Sequence, residues 1–310
     1  MLDTARIRGV LPAMVTPMTP AGEPDEAGIR SHVRFLLGHG VSGLFTLGSS
    51  GEFSHLTLED RALVIRTVAD EAAGRVPVVA GASESGTRQV LQMLDVSARA
   101  GADFAVVLPT YYMVPTEADV IRHYVTVLDH SPIPVLLYNN PASSRTTLSV
   151  NLVTDLAEHP NAAGIKDSTG DFASVRQLIR RFRDHPRFRV IQGHEGHAAL
   201  SFFLGAHAAQ LGLANVVPSL FVNLHRAATS GDLESALIFQ SEVDAISAIW
   251  SAAGDTEGSY LGSMKAALDM LGVCGPDLAP PFVKLDEDAR GWVRAILEQH
   301  GVLEAAAARL

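Results

Sequence analysis

The stretch Ala162-Ala163-Gly164-Ile165-Lys166, followed after a short loop by Phe172-Ala-Ser-Val-Arg-Gln-Leu-Ile-Arg-Arg-Phe182, sets the pattern of the whole chain. A short apolar run ends on a polar group, a loop follows, and a segment with apolar residues at helical spacing comes next. Upstream the same order recurs five times. Val10–Thr16 leads to Asp25–Leu37, with Ile29, Val33, Leu36 and Leu37 on one face, and Gly43–Leu47 leads to Leu58–Ala73, opened by the capping box Thr57-x-x-Asp60. Val76–Ala80 precedes Thr87–Ala100, Phe104–Leu108 precedes Glu117–Leu128, and Pro134–Tyr138 precedes Val150–Glu158. Downstream, Phe188–Gln192 leads to His197–Leu204 and Ala208–Leu213 to Ser219–Thr229.

Eight strand–helix pairs in about 230 residues predict an α/β protein, specifically a closed (β/α)₈ TIM barrel. The competing doubly wound sheet requires a glycine-rich phosphate loop after its first strand, where this chain has Thr16-Pro17-Met18-Thr19-Pro20. After Gly231 the strand signal stops. Glu234–Ala253, Ser259–Leu271 and Asp286–Gln299 read as helices, so the expected organisation is a barrel over residues 1–231 and a C-terminal three-helix appendage over 232–310.

Composition removes several function classes. The 310 residues are 47% hydrophobic, yet no run approaches the ~18 consecutive apolar residues of a membrane span. Net charge is −10, and the basic residues are scattered apart from a cluster at Arg180–Arg189 that reads as a solvated helix end, so a nucleic-acid partner is not expected. Cys274 is the only cysteine and residues 1–6 lack a secretory pattern, which points to a cytoplasmic protein. Of 24 basic residues only Lys166, Lys265 and Lys284 are lysine, so surface charge is carried by arginine and each lysine stands out.

In a barrel of this kind the chemistry sits at the C-terminal ends of the strands. Lys166 ends an apolar run inside the expected mouth; an amine held among apolar walls loses solvation of its charged form, which favours the neutral nucleophile that attacks a carbonyl. An ordinary solvated lysine is the alternative reading. Tyr138 closes the preceding strand and could move a proton beside that amine, or simply plug the barrel. Ser49 and Ser50 lie between Gly48 and Gly51, where a tight turn can offer amides and hydroxyls to a carboxylate, although a plain Gly/Ser turn looks the same.

Taken in order, Gly48-Ser49-Ser50-Gly51-Glu52, Tyr138-Asn139-Asn140-Pro141 and Gly164-Ile165-Lys166-Asp167 resemble the motifs of the dihydrodipicolinate synthase and N-acetylneuraminate lyase superfamily. Lys166 follows Tyr138 by 28 residues, and the likeness runs from Val15-Thr16-Pro17 through the tail. The resemblance implies that Lys166 forms the Schiff base and Tyr138 relays protons. It implies too that Ser49 is the relay hydroxyl, that Ser50 and neighbouring amides bind a 2-oxo acid carboxylate, and that Tyr112 completes the relay across a subunit interface in a homodimer or homotetramer. Its synthase branch carries an arginine two residues after the motif proline; here Ser143 occupies that place and Arg145 lies two positions further on. The run Pro141-Ala142-Ser143-Ser144 is closer to the lyase and sugar-acid aldolase members.

The resulting expectation is a class I lyase that cleaves a 2-keto-3-deoxy sugar acid to pyruvate and an aldehyde. No metal or organic cofactor is expected, since the covalent intermediate on Lys166 supplies the electron sink. Condensation of pyruvate with aspartate semialdehyde is the rival reaction, dehydratase or deaminase chemistry would use the same iminium, and a non-catalytic barrel that senses a small acid is the rival of another class. His194-Glu195-Gly196-His197 is one residue short of the zinc-peptidase pattern, so His194 and Glu195 are expected to contact the substrate's polar tail rather than a metal. Cys274 lies far from any expected base and is not a candidate nucleophile.

Overall fold

The computed structural model describes residues 3–307; Met1, Leu2 and residues 308–310, the outer ends of the two expected segments, lie outside the described residues. Eight strands appear in chain order: β1 (Gly9–Val10), β2 (Leu44–Thr46), β3 (Val78–Gly81), β4 (Phe104–Val107), β5 (Val135–Asn139), β6 (Ala162–Asp167), β7 (Arg189–Gln192) and β8 (Ala208–Ala209). Between them run α1 (Glu26–Gly38), α2 (Leu58–Ala72), α3 (Thr87–Arg99), α4 (Glu117–His130), the short α5 (Pro141–Ser144), α6 (Val150–Ala157), α7 (Phe172–Phe182) and α8 (Ala198–Phe203), with α9 (Pro218–Ser230) after β8. Asp25, Thr57, Thr116, Ser149 and Asp171 cap the first N–H groups of α1, α2, α4, α6 and α7, which fixes where each helix begins. The capping box read at Thr57 and Asp60 is present, and Thr116 with Asp119 forms another.

All strand pairs are parallel, in the order β1-β8-β7-β6-β5-β4-β3-β2. The two edges meet through a bridge between Ala13 and Phe45, with Phe45 N–H donating to Pro12 O at 3.1 Å and Met14 N–H to Phe45 O at 2.8 Å. Asn215, in the turn after β8, holds the β1 side of that seam from its other flank. Its Oδ1 accepts from Val15 N, and its Nδ2 donates to Ala13 O.

Strand alternation divides the core into layers. Leu11, Phe45, Val79, Val106, Leu136 and Ile191 fill the barrel interior, while Val78, Val107 and Leu137 face outward against Val64, Leu94, Val127 and Leu178 of the surrounding helices. Another cluster joins Val10, Leu211 and Phe221 to Val243, Leu268 and Val293, which lie in the helices after Gly231.

Several boundaries differ from the sequence reading. Val10–Thr16 yields only two residues of strand because Pro12 lacks a ladder N–H, although Leu11 N–H still donates to Ala209 O of β8 and Ala13 N–H to Leu211 O just beyond it. Ala208–Leu213 shortens to two because Gly212 starts a 3₁₀ turn at Leu213–Asn215. The expected helix 234–253 stops at Ile246 as α10 (Leu233–Ile246), where Ser247 bonds back to Val243 O and the chain tightens into 3₁₀ over Ser247–Ser251. α11 (Glu257–Met270) and α12 (Glu287–Gln299) follow, and α13 (Val302–Ala307) is an additional helix that restarts after Gly301 at φ 64°. Among the described residues no helix is long and apolar enough to cross a membrane.

Candidate active site

A β-bulge aims the central lysine. On β5 the side chains alternate cleanly, Leu136 and Tyr138 inward and Val135 and Leu137 outward. Register between β5 and β6 shifts by one residue after Val135, so Leu136 pairs with Gly164 and Tyr138 with Lys166. The extra residue on β6 leaves Ala163 inward and Ile165 outward, and turns Lys166 into the barrel mouth. Gly164 permits the close strand approach: a Cβ there would sit 2.2 Å from Arg189 O.

Lys166 is 4% exposed. Its Nζ lies 4.4 Å from the Tyr138 ring centre and 4.6 Å from that of Phe45, and it has no carboxylate partner among the described residues. Two aromatic faces thus hold the amine over the centre of the barrel. Gly193, at the end of β7, leaves room for its methylene chain, since a Cβ there would lie 3.1 Å from Lys166 Cε. The next residue, Asp167, points the other way; its carboxylate takes Asn139 Nδ2 at 2.9 Å and Thr169 Oγ1 at 2.6 Å, and burial raises its pKa. It locks the ends of β5 and β6 together.

Above the lysine is a cavity of about 490 Å³, within the range of small-molecule sites. Ser49, Ser50, Tyr138, Ser143, Lys166 and Glu195 line it, bringing together residues separated by up to the length of the barrel. Ser49–Gly51 form a 3₁₀ turn that opens on Ser49 and Ser50, whose N–H groups precede any acceptor within the turn. Gly48 and Gly51 frame that turn without lining the cavity, and Thr16 Oγ1 holds Gly51 O at 2.8 Å. Asn140 Nδ2 donates both to Tyr138 Oη at 3.2 Å and to Ser143 Oγ at 3.0 Å, so Ser143 is tied to the tyrosine through one amide.

Other expected site residues lie elsewhere. His194 is exposed, stacks on His197 with ring centres 4.6 Å apart, and does not line the cavity. Glu195 lines it, but its Oε1 already accepts from Gly212 N at 2.7 Å and Leu213 N at 3.3 Å, so it shapes the wall. Tyr112 is 82% exposed, in the left-handed region at φ 75°, and apart from the cavity. The neighbouring Tyr111 turns inward to Glu84, and burial together with that carboxylate pushes its phenol up to about 12. Arg145 caps α5 at the surface and does not reach the cavity.

The sequence reading missed the far wall, which comes from beyond Gly231: Trp250, Asp255, Thr256, Glu257 and Tyr260. Tyr260 Oη meets Ser50 Oγ at 3.0 Å, and burial, then Glu195, hold its phenol far above the usual range, so it stays neutral. Behind the serine turn, Glu52 pairs with Lys265 of α11 at 2.5 Å in full burial. The scarcity of lysine marked Lys265 as unusual, but nothing local to Glu52 named its partner.

Comparison with known proteins agrees with this geometry. The profile of the Dihydrodipicolinate synthetase family matches residues 6–300. A 4-hydroxy-tetrahydrodipicolinate synthase of Gluconacetobacter diazotrophicus is 32% identical over 302 residues, covering 97% of this chain and 100% of that protein. YagE of Escherichia coli K12, named as a candidate 2-dehydro-3-deoxy-D-gluconate aldolase, is also 32% identical, with 96% and 99% covered. The structure of YagE in complex with pyruvate superposes with a TM-score of 0.89 over 95% of this chain and 99% of that one. Dihydrodipicolinate synthase from Bacteroides thetaiotaomicron gives 0.90 at 32% identity, over 94% and 98%. A relative that is one-third identical along its whole length shares the fold and the ancestry, and the chain belongs to the dihydrodipicolinate synthetase family, as an enzyme of the lyase type.

Proposed function

We propose that the chain is a Schiff-base lyase that cleaves a 2-keto-3-deoxy sugar acid into pyruvate and an aldehyde. The amine of Lys166 adds to the C2 ketone and water leaves, giving an iminium. Tyr138, left as a phenolate after giving its proton to the departing water, takes the proton of the C4 hydroxyl, the C3–C4 bond breaks, and its electron pair passes into the iminium as an enamine while the aldehyde departs. Protonation at C3 and hydrolysis release pyruvate and restore the amine. Ser49 and Ser50, at the open end of their turn, receive the substrate carboxylate, and no metal or organic cofactor takes part. The exposure of Tyr112 supports its reaching into a neighbouring subunit of a dimer or tetramer.

One observation carries the substrate class: among the described residues Lys166 is the sole cationic side chain lining the cavity, whereas Glu195, Asp255 and Glu257 line it as carboxylates. Aspartate semialdehyde would bring a second carboxylate with no guanidinium to receive it, because Ser143 is a hydroxyl and Arg145 lies outside. A polyol end suits the wall. The synthase reaction is the second reading, favoured by the names of relatives such as the Gluconacetobacter protein.

The test combines two measurements. Pyruvate with borohydride should leave a reduced adduct on Lys166 by peptide mapping; adduct on Lys265 or Lys284, or none on the folded protein, refutes the mechanism. Comparison of kcat/KM should then favour the sugar acid over semialdehyde condensation by roughly tenfold or more, the worth of a missing charge-assisted bond. A preference for the semialdehyde replaces the lyase reading with the synthase.

A further inference from the structure

Among the described residues three glutamines are buried: Gln192, Gln210 and Gln240. Two are fully used by the chain. Gln192 donates to Ser201 Oγ at 2.7 Å and accepts from His194 N at 2.8 Å; Gln240 accepts from Ala199 N at 3.0 Å and donates to Glu195 O and Asp244 Oδ1. Gln210 is the exception. It is 1% exposed, and neither its amide oxygen nor its amide nitrogen has a partner among the described residues.

Its position gives that exception meaning. Ala208 faces the barrel interior, so strand alternation turns Gln210 inward one layer higher, at the mouth, while its backbone N–H remains bonded to Gln192 O at 2.8 Å. There it lines the same cavity as Lys166. A second shielded polar atom without a partner, Trp250 Nε1, belongs to a residue lining that cavity as well. Buried donors and acceptors left unpaired cost stability, and native chains rarely retain them without a reason.

We propose that Gln210, assisted by the Trp250 indole N–H, is the subsite that takes hydroxyl groups of the substrate carbons beyond the cleaved bond. The inference rests on the sugar-acid reading above. A primary amide offers an acceptor and two donors, and a hydroxyl can satisfy both kinds at once. A carboxylate uses the donors alone and a methylene uses neither. Glu195, which shapes the same wall, already binds two backbone N–H groups, and among the described residues the lining holds no cation besides Lys166, so a neutral polyol fits where an anion does not.

The experiment replaces the amide with an apolar chain of similar length, Gln210→Met, in the full protein. Borohydride trapping on Lys166 is titrated with 2-keto-3-deoxygluconate and with 2-oxohexanoate, which has the same carbon count and no hydroxyls, counting parent and pyruvate adducts together. Wild type should reach half-maximal trapping at lower concentration of the hydroxylated acid, and Gln210→Met should raise that concentration roughly tenfold while leaving the value for 2-oxohexanoate in place. The variant should also melt roughly 2 °C higher, because an unsatisfied buried amide is gone. A structural role predicts the opposite sign. An unchanged ratio between the two acids or a lower melting temperature overturns the inference, and Gln210→Ala, read by the same ratio, decides the case if the methionine does not fit. Wild type that traps both acids without releasing pyruvate refutes the cleavage reading alone and leaves the Gln210 comparison intact, whereas failure of both acids to trap on Lys166 overturns both.

Discussion

Replacing Lys265 by methionine tests whether the serine turn depends on a buried charge pair. Both side chains of the Lys265–Glu52 pair are 0% exposed, and they meet at 2.5 Å. Lys265 Nζ also donates to Asp277 O at 2.8 Å, and Glu52 Oε2 accepts from Ala279 N at 2.8 Å. Glu52 follows Ser49–Gly51 directly and adopts φ 56°, so its carboxylate anchors the turn to α11 and to the chain at 277–279. Methionine fills most of the lysine's apolar volume but leaves the carboxylate buried without a countercharge, a loss of about 3–5 kcal/mol. At an unfolding entropy of ~2.1 cal/mol/K per residue, that loss lowers the melting temperature of a 310-residue chain by roughly 5–8 °C. Circular dichroism melts would read it. The double variant Glu52→Gln, Lys265→Met should recover much of the loss, because neither charge remains to be desolvated. In the single variant the pyruvate concentration for half-maximal trapping should rise, since the Ser49–Ser50 turn loses its anchor. A melt within 1 °C of wild type, or a double variant no more stable than the single one, refutes the reasoning.

Tyr138→Phe removes one hydroxyl whose hydrogen bond is to Asn140, so the fold should persist while turnover falls by ~10²–10⁴-fold; near-normal steady-state rates would assign the proton to another group. Gly193→Ala places a methyl 2.8 Å from Asp167 O and 3.1 Å from Lys166 Cε, and the rate of iminium trapping should fall roughly 10²-fold as the amine is displaced, with retention of the wild-type rate as the contrary result. His32 is fully buried and desolvation holds its pKa at about 3, below the ordinary 6.5. Its folded pKa is the lower one, so its contribution is intact above about pH 6.5 and drains away as pH falls towards 3, about 2 kcal/mol of it by pH 5. His32→Leu should therefore lose less stability than wild type between pH 7 and pH 5 in urea titrations, and parallel losses in the two proteins would contradict this.

The strand–helix alternation was legible because each apolar run sits between loops and each helix has a period that differs from a strand's, and because side-chain caps such as Thr57 mark the starts. Lys166 was legible for a related reason. A rare lysine closing a buried strand has few explanations, and the structure puts it under Tyr138 as their adjacent strands require. The bulge that makes this work left a trace only in Gly164, whose need for closeness to Arg189 shows once the strands are paired. Strand ends at Pro12 and Gly212 were misjudged because periodicity is blind to a missing donor or to a turn capped from Glu195.

The far wall resisted reading for a deeper reason. Strand ends hold Tyr138 and Lys166, and the order of the strands in the chain is their order around the barrel, so motif spacing carries over into geometry. Trp250 and Tyr260 reach the cavity from a 3₁₀ segment and a helix beyond the barrel, and their role depends on packing against Ser50 and Glu195, which no local pattern encodes. The same division separates reaction from substrate. In the proposed reaction Lys166 and Tyr138 activate the bond to a 2-oxo acid, while Ser143, Gln210 and the carboxylates opposite line the space for the other end. The absence of an arginine at one position is a local signal; a cavity with one cation among the described residues, which the proposed reaction commits to the ketone, leaves a second substrate carboxylate without a partner, and that argues for the hydroxylated end more strongly than the lone replacement at Ser143 does.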